Sequence, residues 1–99
     1  MITHCVLFAL RPETDVAAPV ALLNGLLAEI PGMLTLTYGP NRDYEAKSAG
    51  YTFGLVITFA DRASLAAYDV HPDHKAAGGL LVAGSVGGAD GVFVADIES

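Results

Sequence analysis

The chain is short of charge. Only 16% of its 99 residues are Asp, Glu, Lys or Arg, against about 25% in an ordinary soluble domain. Cations are scarcest. Arg11, Arg42, Lys47, Arg62 and Lys75 are scattered among eleven carboxylates, giving a formal net charge of −6. With no basic stripe, a nucleic-acid backbone is repelled, and an anionic membrane surface is disfavoured for the same reason. Cysteine is nearly absent too. Cys5 stands alone, which excludes an intrachain disulfide and a thiolate zinc site and fits a reducing compartment. No run reaches the roughly 20 apolar residues that span a bilayer. The opening residues carry His4, lack a basic segment, and hold an apolar run too short for a signal peptide. The expectation is a cytoplasmic protein.

What the chain has instead is apolar material, 53% of its residues. At this length it is one domain, residues 1–99, and its interior does not easily absorb that much. The surplus predicts a subunit interface or a ligand cavity.

Ile2 to Leu10 (ITHCVLFAL) holds no charge and reads as a strand with two dry faces, ended by Arg11-Pro12. Asp15 is placed to cap a helix whose apolar stripe is Val16, Val20, Leu23, Leu27 and Ile30, widened by Leu22 and Leu26 and stopped by Pro31-Gly32. Met33 to Tyr38 is a short strand. Gly39 to Gly50 is the one long polar loop, flanked by Tyr38 and Tyr44, which are placed either to gate a pocket or simply to meet solvent. Tyr51 to Phe59 alternates aromatic and aliphatic residues with small ones and carries no charge, as a central strand covered on both sides does. Asp61 caps a second helix with Leu65 and Tyr68 inward. His71-Pro72 breaks it, since a residue before proline is pushed out of helical geometry, and Pro72 suits the start of a third, short helix. Six glycines between 78 and 91 predict that this helix is weak and frays. Gly91 to Ile97 closes the sheet.

The order β-α-β-β-α-β with right-handed crossovers predicts an α+β, ferredoxin-like fold: a four-stranded antiparallel sheet with helices on one face. The opposite face is still apolar. Pairing two sheets face to face in a symmetric homodimer removes it from water.

The opening ITHCVLFAL, the segment GYTFGLVITFAD at 50–61, and above all Tyr68-Asp69-Val70-His71-Pro72-Asp73-His74 resemble the stress-responsive A/B barrel domain (Dabb) family along nearly the whole chain. The resemblance implies a dimeric α+β barrel, with a further pocket in each subunit between its sheet and its helices. Most such proteins have no assigned reaction. One plant branch cyclises linear polyketides by intramolecular aldol condensation without a cofactor, and its working acid–base pair corresponds to Tyr68 and His74. His4 matches a first-strand histidine of that branch, whereas Phe53 stands where the branch has a histidine. The glycine-rich stretch 78–91 replaces its bulkier residues.

The residues themselves support two readings. In the chemical one, His74 takes a proton from carbon next to a carbonyl, the positive end of its helix disfavouring imidazolium, while Tyr68 donates a hydrogen bond to the enolate oxygen. His4, Phe53 and His71 then contact ligand. In the structural one, His74 satisfies a backbone group, His71 caps a helix, His4 is a hydrogen-bonded core or interface histidine, Tyr68 is a core aromatic with its hydroxyl at the surface, and Tyr51, Phe53 and Phe59 are barrel core. Cys5 reads as a buried small hydrophobe. Asp69, His71, Asp73 and His74 resemble metal ligands only on paper, because their spacing fits no metal motif. The glycines follow a helix instead of joining a strand to one, so no dinucleotide or P-loop fingerprint is present. No cofactor and no metal are expected. Two functions remain: a homodimeric binding protein for a small, mostly apolar ligand, or a cofactor-free cyclase, lyase or isomerase. A cofactor-independent monooxygenase is a third, by analogy of fold alone.

Overall fold

The computed structural model describes all of residues 1–99. In chain order they form β1 (Ile2–Phe8), α1 (Ala17–Glu29), β2 (Met33–Pro40), β3 (Phe53–Phe59), α2 (Arg62–Val70), α3 (Pro72–Gly84), a 3₁₀ turn (Gly88–Gly91) and β4 (Val92–Glu98). The strands make one antiparallel sheet in the order β2-β3-β1-β4. This is the ferredoxin-like arrangement predicted from the element order. No helix is long and apolar enough to cross a membrane.

Alternation divides the sheet into two unlike faces. Ile2, Val6 and Phe8 of β1 and Phe53, Leu55, Ile57 and Phe59 of β3 point toward the helices and form the core with Val20, Leu23 and Leu26 of α1 and its C-cap, Ile30. Phe53 and Phe59 therefore belong to the sheet–helix core and not to a barrel interior on the other face. Tyr51 precedes the first paired residue of β3, and its ring meets Phe93, at 6.2 Å between centroids. On α1 the burial is centred on Leu26 more than on Leu27. Asp15 sits one residue outside the N-cap, Val16, and its carboxylate accepts the backbone N–H of Ala17.

The opposite face carries Thr3, Cys5 and Leu7, then Gly54, Val56 and Thr58, then Phe93, Ala95 and Ile97 in register. None is charged. No helix covers it, and Phe93 and Ile97 are about half exposed. Thr35 and Thr58 share a cross-strand hydroxyl hydrogen bond of 2.5 Å.

The third helix differs most from expectation. It runs unbroken through Gly78 and Gly79 to Gly84. Two facts outweigh the glycine penalty. Ala77 and Leu81 are fully buried where α3 packs on α1. The last carbonyls of a helix have no partner within it, and here each finds one. Ser85 Oγ donates to Leu81 O, Ser85 N to Val82 O, Arg11 Nη1 to Ala83 O, and both Arg11 N and Thr14 Oγ1 donate to Gly84 O. The loop after β2 is also built, not open. One oxygen of Asp43 accepts from Lys47 N, Ser48 N and Ser48 Oγ, which holds its carboxyl below the usual carboxylate range. Tyr44 at its tip is 94% exposed.

These contacts separate the glycines. A Cβ at Gly79 meets nothing, whereas one at Gly84 collides with the Thr14 side chain and one at Gly91 with the Val86 carbonyl. Gly79→Ala raises stability by about 0.5–1 kcal/mol, the ordinary helix-propensity gain, while Gly84→Ala and Gly91→Ala lower it. Urea unfolding of the three variants checks the signs.

Candidate functional site

The helices close over only part of the inner face. α1 and α2 pack on β2, and α2 also on β3, while Val94 on the inner face of β4 stays half exposed. A cavity of about 710 Å³ remains between the β1–β4 half of the sheet and α2 and α3. Its walls are apolar: Val6, Phe8, Leu55, Leu65, Leu81 and Val92 among others. Seven polar side chains line it: His4 (β1), Arg62, Tyr68 and Asp69 (α2), His74 and Lys75 (α3) and Asp96 (β4).

Tyr68 and His74 come together because α2 stops and α3 starts around one residue. His71 is extended (φ −67°, ψ 135°), is both the last cap of α2 and the first of α3, and accepts the Asp73 N–H on Nδ1 at 3.0 Å. Pro72, with no N–H to satisfy, takes the first helical position. The chain then folds back, and His74 Nδ1 lies 2.9 Å from the Asp69 carbonyl. A carbonyl only accepts, so Nδ1 carries the proton and Nε2 keeps the lone pair of the neutral ring. The ring thus meets the negative end of α2 as well as the positive end of α3, two fields of opposite sign.

Tyr68 is 3% exposed, wedged between the two histidines: its ring centroid is 4.2 Å from that of His74, 5.9 Å from His4 and 5.2 Å from Phe59. Burial first, and the Asp69 charge second, push the phenol well above its ordinary value. It therefore stays protonated and is a donor. Its hydroxyl has no hydrogen-bond partner in the protein, yet it is not a sealed, unsatisfied group, so it opens to the cavity.

His4 faces Asp96 across the β1–β4 ladder, and Nδ1 and Oδ1 are 2.5 Å apart. The carboxylate accepts, which fixes the ring and turns Nε2 as the remaining polar atom. Asp96 has no part in the sequence reading. Its one signal there is a lone carboxylate inside an apolar closing strand, and only the register pairs it with His4.

Two expected ligand contacts lie elsewhere. Phe53 is on the correct face but packs on Phe8, at 6.4 Å, away from the cavity lining. His71 is occupied by its capping bond and turns Nε2 toward Glu29, 3.8 Å away. Glu29, His71 and Asp73 form the one group spaced for a metal ion. The tautomer opposes one, because an Nδ1 that accepts leaves the proton on Nε2, facing Glu29. Tyr38 and Tyr44 are outside the cavity.

The family described as Stress responsive A/B Barrel Domain matches residues 2–99, and the chain belongs to it. No functionally curated protein matches the chain. Among solved structures, a dimeric ferredoxin-like protein of unknown function from Jannaschia sp. is 44% identical, with 99% of this chain and 98% of that one covered and a TM-score of 0.93. The hydroxynitrile lyase of Passiflora edulis is 14% identical (97% and 90% covered, TM-score 0.74). A cofactor-independent oxygenase from Streptomyces nogalater is also 14% identical (99% and 91% covered, TM-score 0.68). At such identity the likeness shows the fold alone, and the same fold carries two different reactions.

The Tyr68 hydroxyl supports nothing in the fold, so Tyr68→Phe changes stability by no more than about 0.5 kcal/mol, whereas Tyr68→Ala costs about 3–5 kcal/mol. The pH dependence follows from the raised phenol. The folded state holds this proton more tightly than the unfolded one, so the contribution is complete below the ordinary tyrosine value of 10.0 and is lost as pH rises above it. Urea midpoints between pH 8 and 11 fall more steeply for the wild type than for Tyr68→Phe.

Proposed function

We propose that the protein is a homodimer that binds a small, mostly apolar carbonyl compound in the sheet–helix cavity and moves a proton on it without a cofactor, as a lyase, cyclase or isomerase. The observation that carries this reading is that Tyr68 and His74 line a single cavity. The Nδ1–H of His74 is already engaged as donor to the Asp69 carbonyl, and the Tyr68 hydroxyl has no hydrogen-bond partner in the protein. A base with a free lone pair and an idle donor beside it are what enolisation requires.

In this mechanism Nε2 of His74 takes the proton from the carbon next to the substrate carbonyl. The electron pair of that C–H bond moves into the carbon–carbon bond, and the carbonyl oxygen gains charge. Tyr68 donates a hydrogen bond to that oxygen. The enolate carbon then attacks a second carbonyl or expels a leaving group, and the imidazolium returns the proton. Apolar walls strengthen both interactions by excluding water. Asp96 acts through His4 as a positioning residue. The second reading is a binding protein without turnover. What favours it is that the His74 ring also closes the end of α2, a purely structural service.

The dimer follows from the uncharged face. Two copies, sheet against sheet, remove Leu7, Val56, Phe93 and Ile97 from water together, and the 44% identical relative is described as dimeric. We place the dimer in the cytoplasm, since its single cysteine, half-buried on that face, needs no oxidising compartment.

Proton exchange tests the chemistry without knowledge of the natural substrate. The wild type accelerates deuterium uptake at the carbons beside the carbonyl of 4-phenyl-2-butanone in D₂O. His74→Ala and Tyr68→Phe keep the fold and each reduces that rate about 10²–10⁴-fold. Rates equal to wild type in both variants eliminate the catalytic reading. Sedimentation of the wild type gives twice the chain mass, and Val56→Asp shifts it to the monomer; a stable wild-type monomer overturns the dimer.

A further inference from the structure

The cavity reading leaves two side chains unexplained. Eighteen residues line the cavity, and among them are Arg62 and Lys75, two of only five cations in the chain. Both are exposed at its rim, and neither lies within ion-pair distance of a carboxylate: the charge pairs present are His4–Asp96 and His71–Glu29. On a protein of net charge −6, an unpaired cation is available to something outside the chain.

Their positions in the helices strengthen the point. Arg62 is the first residue of α2 and Lys75 is in the opening turn of α3. Backbone dipoles make a helix start positive, so a cation there is unfavourable and a carboxylate would be preferred. The carboxylates that suit these helix starts are already present: Asp61 is the N-cap of α2 and Asp73 lies in the first turn of α3. The folding of these helices therefore gains nothing from positive charge at 62 and 75. An anion at the cavity mouth gains from both side chains. Of the two carboxylates that share the rim, Asp96 is engaged by His4, which leaves Asp69 as the one opposing charge.

The interior supplies the other half of the ligand. Gly78 lies one turn beyond His74 on the same face of α3, lines the cavity, and a Cβ there would meet nothing within 4 Å. Neither packing nor backbone conformation calls for a glycine at that point. Its effect is to lengthen the apolar space past the His74 ring toward Leu81.

We propose that the natural ligand is an amphiphilic monoanion, an apolar body carrying one carboxylate, with the body along Gly78 and Leu81 and the carboxylate at the rim between Arg62 and Lys75. This rests on the cavity reading above and specifies which compounds the cavity takes.

Three probes with one tail test it: decanoate, decan-1-ol and decylammonium, titrated below the micelle concentrations of the two ions and the solubility limit of the alcohol, and followed by calorimetry and by NMR shifts of the Tyr68 and His74 rings. Decanoate binds about five- to tenfold tighter than decan-1-ol, as ion pairs to two exposed cations allow, and decylammonium binds weakest. The double variant Arg62→Gln/Lys75→Gln loses the preference and leaves decan-1-ol unchanged. Arg42→Gln, remote from the cavity, keeps it. Added salt weakens decanoate binding only. Equal binding of decanoate and decan-1-ol at the ring signals, a preference for decylammonium, or a preference that survives in the double variant overturns the anionic ligand while leaving the cavity reading standing. If no probe shifts either ring, both readings fall.

Discussion

A four-stranded sheet has two faces, and this chain has helix enough for one. Every other feature answers to that constraint. Both faces of β1 and β3 are free of charge, so neither is suited to water. The helices take the face bearing Phe53, Leu55, Ile57 and Phe59, and burial there supplies the core. The face with Leu7, Val56 and Ile97 is left without a helix, and it is the face that the proposed dimer removes from water. The same shortage of helix explains the cavity. The helices bury the inner face of β1 and β3 but leave Val94 of β4 half exposed, and the cavity lies beside it.

Within that frame the site is assembled by helix ends. A helix leaves carbonyls unpaired at its close and N–H groups unpaired at its start. At the junction of α2 and α3 both problems fall on the same few residues. His71 answers the start of α3 through the Asp73 N–H, and His74 answers the close of α2 through the Asp69 carbonyl. The second bond fixes the tautomer of His74 and brings its ring 4.2 Å from that of Tyr68. Capping and positioning are one act, so the structural and chemical descriptions of His74 do not compete.

Much of this is legible in the residues, for identifiable reasons. Uncharged stretches with a period of two announce β1 and β3. His71-Pro72 announces a helix boundary, because proline constrains its predecessor wherever it occurs. Tyr68 and His74 are six residues apart, so a local break suffices to relate them. What escapes the sequence depends on distant partners. The length of α3 rests on Arg11 and Thr14, some 70 residues away, which satisfy its final carbonyls. The His4–Asp96 pair rests on a strand register that spans 92 residues of separation. Phe53 is legible as an inward residue, but its place along the sheet, beside Phe8 and beyond the cavity, is set by the same register. His71 is legible as polar and central; that its ring nitrogen is spent on a backbone N–H is a matter of rotamer, which spacing does not encode.

The strongest sign of function is a group the fold does not need. Tyr68 buries its ring among Phe59, His4 and His74, and phenylalanine would bury the same ring there. A hydroxyl adds stability to a core only when it finds a partner, and this one finds none in the protein. Nor is it ionised, since burial and the Asp69 charge hold its proton in place. Folding therefore accounts for the ring and leaves the oxygen over, a permanent donor aimed into an apolar space beside an imidazole whose lone pair is also unspent. Two such atoms in one cavity, each without a structural task, describe a place where a third atom belongs. An oxygen that accepts from the phenol and a carbon acid within reach of the imidazole meet both requirements at once.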